Sequence, residues 1–353
     1  MTPGNLYPLG GSQPPMEYRR LPGTELEVST VGFGLWSVAT PWWARFTDAQ
    51  AIRLLRRARS LGVNLFDTAP GYGEGRADRL LAEAFPGRER EDLVILAKLA
   101  LHPSRPRGSP EPGPSEAPRL EGFALAGPPY DEVAIRRQLE ATLGRLGRSQ
   151  VEALEVHNPT LRELRDGTLR AGLEGLVRSG AALSWGVALG PSIGWLEEGL
   201  WALEHGADHL MTVYNLLERE PGETLARRAE GRGKGIFARV PHASGALDGS
   251  SPSFGHYPSG DHRSLRDASW LQRARRSAEV LRPHAEGRGR TLGELAILAL
   301  LAEPSVVSVF PTFLTEEEVD RYGRLDRLLP VTLEEARAIR AELEERGAEV
   351  ASP

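Results

Sequence analysis

VNLFDTAPGYGEGRADRLLAEAFPGREREDLVILAKL, residues 63–99, holds a strand, a short helix and a second strand. VNLFD (63–67) and LVILAKL (93–99) are continuous apolar runs, the pattern of strands covered on both faces in a parallel sheet. Leu80, Leu81 and Phe85 mark the apolar face of the helix between them. Working backward, Thr47 to Gln50 forms a Thr-x-x-Gln capping box before a helix whose face carries Ala51, Leu54, Leu55, Ala58 and Leu61, and Gly62 ends it. TVGFGLW (30–36) precedes it as the first strand. Working forward, a helix from Asp131 to Leu146, with Ile135, Leu139, Leu143 and Leu146 on one face, leads into VEALEVH (151–157). LSWGVAL (183–189), HLMTVY (209–214), GIFARV (235–240) and VVSVF (306–310) bring the strands to eight. Thr-x-x-Glu boxes at Thr291, Thr315 and Thr332 open the last three helices.

Eight strand–helix units in series predict an α/β chain closed into a (β/α)8 TIM barrel, because right-handed crossovers leave few other topologies. An open, doubly wound sheet would show a Gly-x-Gly-x-x-Gly turn opening a helix after its first strand. Here the glycines of VGFGLW lie within the strand. EYRRLPGTELEV (17–28) reads as a β-hairpin around Pro22-Gly23 that plugs the barrel bottom. Residues 1–15 read as a disordered tail and 16–353 as a single barrel domain. The stretch 101–129 holds eight of the 27 prolines and reads as a long loop at the barrel mouth.

Composition narrows the chemistry. A formal charge of −5, from 43 basic and 48 acidic residues, leaves no excess cation for phosphate backbones, so no nucleic-acid partner is expected. With no cysteine, disulfides, thiolate metal sites and cysteine nucleophiles are excluded. No apolar run is long enough to span a bilayer, and the N-terminus lacks a signal-peptide layout, so a cytoplasmic location is expected. Nearly every basic position is arginine, and the only two lysines are Lys98 and Lys234. A lysine inside LVILAKL therefore invites a chemical explanation, since its ammonium can shift its pKa in a pocket and a guanidinium cannot.

On a barrel, Asp67 ends the second strand, Lys98 lies near the end of the third, His157 ends the fourth and Tyr72 follows Asp67 in the loop. All four then meet at the C-terminal rim, where barrel enzymes keep their active sites. The strings FDTAPGYGEGRADRLLAEAF, VILAKL and EVHNP, with GLEGLVRSG and YNLLERE further on, resemble the aldo-keto reductase pattern over nearly the whole chain from Met16. The resemblance implies an active site of Asp67, Tyr72, Lys98 and His157 acting on a small-molecule carbonyl substrate with NADP(H) or NAD(H). In chemical terms the four make a proton donor. The Lys98 ammonium would draw the Tyr72 hydroxyl below its ordinary pKa of ~10, Asp67 would hold Lys98, and His157 would orient the substrate oxygen. Each residue alone also has a plain structural reading: Asp67 as a turn cap, Tyr72 as a loop aromatic, His157 as a strand-end histidine bonded to backbone. Lys98 is harder to explain that way, because a buried strand seldom keeps an unpaired ammonium.

The same resemblance assigns the cofactor contacts to Trp36, Ala188, Leu189, Met211, Arg239, Pro241, Gly245 and Leu247. Family members usually present Ser-Asn and Gln to the nicotinamide carboxamide, and this chain carries Ala188, Leu189 and Met211 instead, none able to make a strong hydrogen bond. Leu314, backed by acidic residues, stands where a cation for the 2′-phosphate is common. ARVPHASGALDG (238–249) keeps the shape of the pyrophosphate loop, with Arg239 against the nicotinamide. Weak cofactor binding is expected. His242 could face the pocket or bond to backbone, Trp42-Trp43 could wall the mouth or pack beneath a loop, and His262 and Arg263 could close over the cofactor or stay solvated. Three functions remain open: an NAD(P)H-dependent aldehyde or ketone reductase, a redox-neutral lyase or epimerase on the same scaffold, and a non-catalytic binding subunit.

Overall fold

The computed structural model describes residues 16–41, 45–90, 92–101, 130–190, 195–250, 263 and 266–346. The expected tail 1–15, the proline-rich loop from residue 102 onward, Trp42, Trp43 and His262 lie outside the described residues. The chain opens with the hairpin β1 (Tyr18–Arg20) and β2 (Glu27–Ser29), paired antiparallel. Leu21 and Val28 from this hairpin pack with Leu65, Val94, Leu96, Ala153, Phe237 and Val307 in one apolar cluster, which fills the lower barrel. Arg19 fastens the plug by donating to the carbonyls of Leu301, Glu303 and Val306 at 2.7, 3.3 and 2.6 Å.

Eight parallel strands form the wall, in order β3 (Phe33–Gly34), β4 (Leu65–Asp67), β5 (Val94–Ala100), β6 (Val151–His157), β7 (Ala182–Ala188), β8 (His209–Val213), β9 (Gly235–Arg239) and β10 (Val306–Phe310). The barrel closes because Gly32 donates to the Val309 carbonyl at 3.0 Å and Val309 donates to the Thr30 carbonyl at 2.9 Å. TVGFGLW is less strand than its reading predicts. Only Phe33–Gly34 pairs as a strand, and at Trp36 the chain turns into α1 (Trp36–Ala39), where the Val38 and Ala39 amides both return to the Leu35 carbonyl.

The outer layer follows the predicted punctuation closely. α2 (Asp48–Ser60) starts at the Thr47–Gln50 capping box, followed by α3 (Arg76–Ala84), α4 (Glu132–Leu146), α5 (Leu161–Leu164), α6 (Gly167–Arg178), α7 (Leu196–Glu204) and α8 (Gly222–Glu230). α9 (Ala268–Glu286), α10 (Leu292–Leu301), α11 (Glu316–Tyr322) and α12 (Leu333–Glu345) complete it. Thr291 and Thr315 make full capping boxes. Thr332 caps α12 without one, since the Glu335 carboxylate pairs with Arg290 at 3.4 Å instead of reaching back. The box at Thr160–Glu163 opening α5 goes unread in the sequence because the helix is only four residues long.

Candidate active site

Strand alternation sends Asp67, Lys98, Glu155, His157 and Arg239 into the upper barrel, above the apolar cluster. The Lys98 ammonium pairs with the Asp67 carboxylate, and both are buried. Its nitrogen lies 5.6 Å from the centre of the Tyr72 ring. That ring meets the His157 ring edge-on, with centroids 6.1 Å apart. The four side chains read from the sequence therefore stand together at the C-terminal mouth.

Tyr72 is placed by a turn that only particular residues can make. Its amide donates to the Ala69 carbonyl at 3.0 Å, and Gly73, Glu74 and Gly75 all take positive φ (63°, 51° and 73°). A Cβ on Gly73 would come within 2.4 Å of the Ala39 carbonyl oxygen, so glycine is required where the turn presses against the loop after the first strand. Arg76, the first residue of α3, ties the same two loops together. It donates to the Val38 and Phe46 carbonyls at 2.9 and 2.8 Å and to Asp48 at 2.8 Å.

Charge in the site differs from the sequence expectation in one respect. Burial holds the Tyr72 hydroxyl well above its ordinary range; the cation that opposes this is Arg239, and Glu155 pushes it further up. Tyr72 thus keeps its proton in the resting chain: in place of the expected lowering by Lys98, desolvation outweighs the opposing Arg239 charge. Burial also lowers Lys98 to about 8, with Glu155 resisting and Arg239 adding to the fall. His157 is pushed down to about 3 by burial and then by the Lys98 and Arg239 charges, so its imidazole is neutral at neutral pH. A neutral His157 has a stability consequence. The unfolded chain binds a proton near its ordinary ~6.5 while the folded one does not, so stability should fall as pH drops from about 6.5 towards 3. Urea unfolding of His157→Asn beside the parent checks this: the substituted protein should lose less stability on acidification, and equal slopes would remove the assignment.

The expected cofactor residues divide by the direction of their side chains. Ala188 and Met211 belong to the inner barrel cluster and face the mouth. Leu189, one residue on, packs outward into the core between barrel and helices, because successive strand residues alternate faces. Only its carbonyl serves the site, accepting from Arg239 at 3.1 Å, and the Gly190 carbonyl accepts from the same guanidinium. Trp36 stands at the start of α1, partly exposed. Pro241, Gly245 and Leu247 are buried in the loop after β9, where Val240, Ala243 and Ser244 take positive φ of 58°, 47° and 54° without being glycine. Such backbone is costly and persists where surrounding structure enforces it, often at a ligand site. His242 turns away from the mouth, with Nδ1 3.1 Å from Asp248 and Nε2 3.3 Å from the Gly293 carbonyl.

The enforced loop after β9 and Arg239 are the residues that would hold a nicotinamide dinucleotide, whereas Ala188 and Met211 would offer its carboxamide no polar side-chain atom. Among the described residues no cluster of histidine, aspartate or glutamate could hold a metal, and no helix is long and apolar enough to cross a membrane. Two further polar residues, Glu155 and His209, are missed by the sequence reading. The alternation in VEALEVH that turns His157 inward does the same to Glu155, so its signal is legible there.

Comparison with known proteins identifies the family. The chain is 26% identical over 332 residues to a probable voltage-gated potassium channel subunit beta of Arabidopsis thaliana, covering 90% of this chain and 93% of that one. It is 27% identical over 226 residues to an uncharacterized oxidoreductase of Mycobacterium tuberculosis, covering 63% and 61%. Among solved structures, the holo form of the aldo-keto reductase AKR11C1 from Bacillus halodurans superposes with a TM-score of 0.71 at 21% identity, covering 96% of this chain and 98% of that one. The glycerol dehydrogenase AKR11B4 from Gluconobacter oxydans gives a TM-score of 0.74 at 21% identity, covering 95% and 98%. At those identities the two structures speak to the fold, a (β/α)8 barrel. The aldo/keto reductase family model matches residues 30–341, so the chain belongs to the aldo/keto reductase family and is an aldo-keto reductase-like oxidoreductase.

Proposed function

We propose that this protein reduces an aldehyde or ketone to the alcohol with NADPH or NADH, with Tyr72 as the proton donor. The observation that carries the reading is the convergence of Tyr72, Lys98, Asp67 and His157 on one mouth, with Tyr72 protonated and His157 neutral. A bound nicotinamide would supply the hydride. Tyr72 gives its proton to the carbonyl oxygen as negative charge develops there. Lys98 stabilises the phenolate left behind, and Asp67 fixes the ammonium. Neutral His157 can donate one hydrogen bond to the same oxygen and orient it. An activity screen over carbonyl substrates with both nicotinamides tests the reading, and no oxidation of either by any substrate would defeat it.

Weak nicotinamide binding with little preference for NADPH follows from the residues at the mouth. Two polar contacts are missing at Ala188 and Met211, at about 0.5 to 1.5 kcal/mol each, so affinity should be lower by roughly fivefold to 150-fold than with those contacts restored. At the start of α11 the Glu318 carboxylate already accepts from the Leu314 and Thr315 amides at 2.7 and 2.9 Å, and Glu316 and Glu317 stand beside it. A 2′-phosphate would meet carboxylates there in place of a cation. Titration calorimetry should show similar, weak binding of NADH and NADPH, tightened by Ala188→Ser with Met211→Gln. Submicromolar NADPH binding by the parent would overturn this.

The same two residues favour a second reading, a redox-neutral elimination or epimerisation that uses Tyr72, Lys98 and His157 for proton transfer alone. Solvent-deuterium incorporation into substrate without nicotinamide would support it. The channel-subunit relative raises a third, a binding role without chemistry; an assembled proton donor is an unneeded expense for such a protein, and turnover of any substrate excludes it.

A further inference from the structure

From Lys98 a polar row runs across the barrel wall, and its other members are not used by the proposed reaction. Lys98, Glu155, Gly186 and His209 are successive register partners across β5, β6, β7 and β8, so they stand at one level of the wall. Glu155 and His209 are fully buried. Glu155 Oε1 lies 3.3 Å from His209 Nδ1, and Oε2 lies 3.9 Å from Lys98 Nζ. Gly186 makes the row possible, since a Cβ there would lie 2.2 Å from His209 Nδ1.

The hydrogens of this row can be counted. Ser184 has one hydroxyl hydrogen and donates it to the Glu152 carbonyl at 3.1 Å. Towards His209 Nε2, 3.4 Å away, the hydroxyl can then only accept, so a hydrogen bond between them requires a proton on Nε2. Nδ1 faces Glu155 either as a second N–H donor or as acceptor from a protonated carboxyl, and one proton is shared in both cases. The other carboxyl oxygen decides between them. Among the described residues Oε2 has no hydrogen-bond partner, and it lies 3.9 Å from the Lys98 ammonium, the placement of an ion-paired carboxylate.

We infer that Glu155 is a carboxylate shared between the Lys98 ammonium and a His209 imidazolium, and that this pair is a positioning device governing how firmly Lys98 keeps its proton beside Tyr72. Charge then alternates through Asp67, Lys98, Glu155 and His209 and sums to zero. Arg239 and Tyr72 face Glu155 from above, and the Phe237 ring, 5.2 Å from the His209 ring, covers its other side. The inference concerns the resting chain and stands apart from whether the protein reduces carbonyls.

Its test exploits the presence of only two lysines, so that side-chain carbon NMR shows two lysine signals, assigned with Lys234→Arg. Glu155→Gln removes the shared carboxylate, and the titration midpoint of Lys98 should fall by about one pH unit or more, a tenfold weakening of its hold on the proton. His209→Asn leaves Glu155 to Lys98 alone, and the midpoint should rise. Opposite signs are the signature that a merely structural role does not produce; an unmoved midpoint, or the same direction in both, overturns the inference. Nitrogen NMR of histidine-labelled parent protein reads His209 without any change at the pair. Protons on both ring nitrogens at pH 7 support the inference, and a neutral ring sinks it even where the substituted proteins fail to fold.

Discussion

Tyr72→Phe should lower turnover of any carbonyl substrate by about 10²- to 10⁴-fold, the usual contribution of a positioned general acid. Phenylalanine keeps the ring that meets His157 edge-on and lies near Lys98, so packing at the mouth is retained. What disappears is the proton, which burial keeps on the oxygen in the resting chain. Thermal midpoint and nicotinamide affinity should therefore change little while kcat collapses. Steady-state kinetics beside calorimetry on the same preparation makes the comparison. Turnover equal to the parent's would remove Tyr72 from the reaction, and an equal loss of affinity and rate would mean that the hydroxyl serves binding instead.

Lys98→Arg should be nearly as damaging, although it preserves the charge. The ammonium is fully buried between the Asp67 carboxylate and Glu155, a space that admits a compact point charge. A planar guanidinium is larger and cannot occupy that place without displacing Asp67 or the Tyr72 ring. Loss of the stabilising cation should cost on the order of 10²- to 10³-fold in kcat, by analogy with removal of one preorganised donor from an active site. Overpacking should add about 1–3 kcal/mol of destabilisation, visible in urea unfolding. An active, stable arginine variant would mean that Lys98 supplies charge alone.

The barrel was legible because its signals are local. Continuous apolar runs mark VNLFD and LVILAKL as buried parallel strands, and capping boxes at Thr47, Thr291 and Thr315 appear where helices start. The convergence of the four candidate residues was legible too, since strand ends point to the same rim in any such barrel. Errors fell where a neighbour decides. Leu189 was read as a cofactor contact from its place in the chain, yet side-chain alternation from Ala188 sends it into the helix-side core. The choice left open at His242, pocket or backbone, is also decided by neighbours: it bonds Asp248 and a helix carbonyl, partners 6 and 51 residues away in sequence.

By itself, then, the sequence determined the order of strands and helices, the plug and the four residues at the mouth, because periodicity and caps act over a few residues. Tertiary structure alone decided the charges. Whether Tyr72 is raised or lowered depends on burial and the Glu155 charge against the Arg239 charge, and those two residues come from different strands. The row from Lys98 through Glu155 to His209 likewise exists only through the register of β5 to β8. Electrostatic energy falls with distance in space and rises with desolvation, and neither quantity is defined until the barrel has closed.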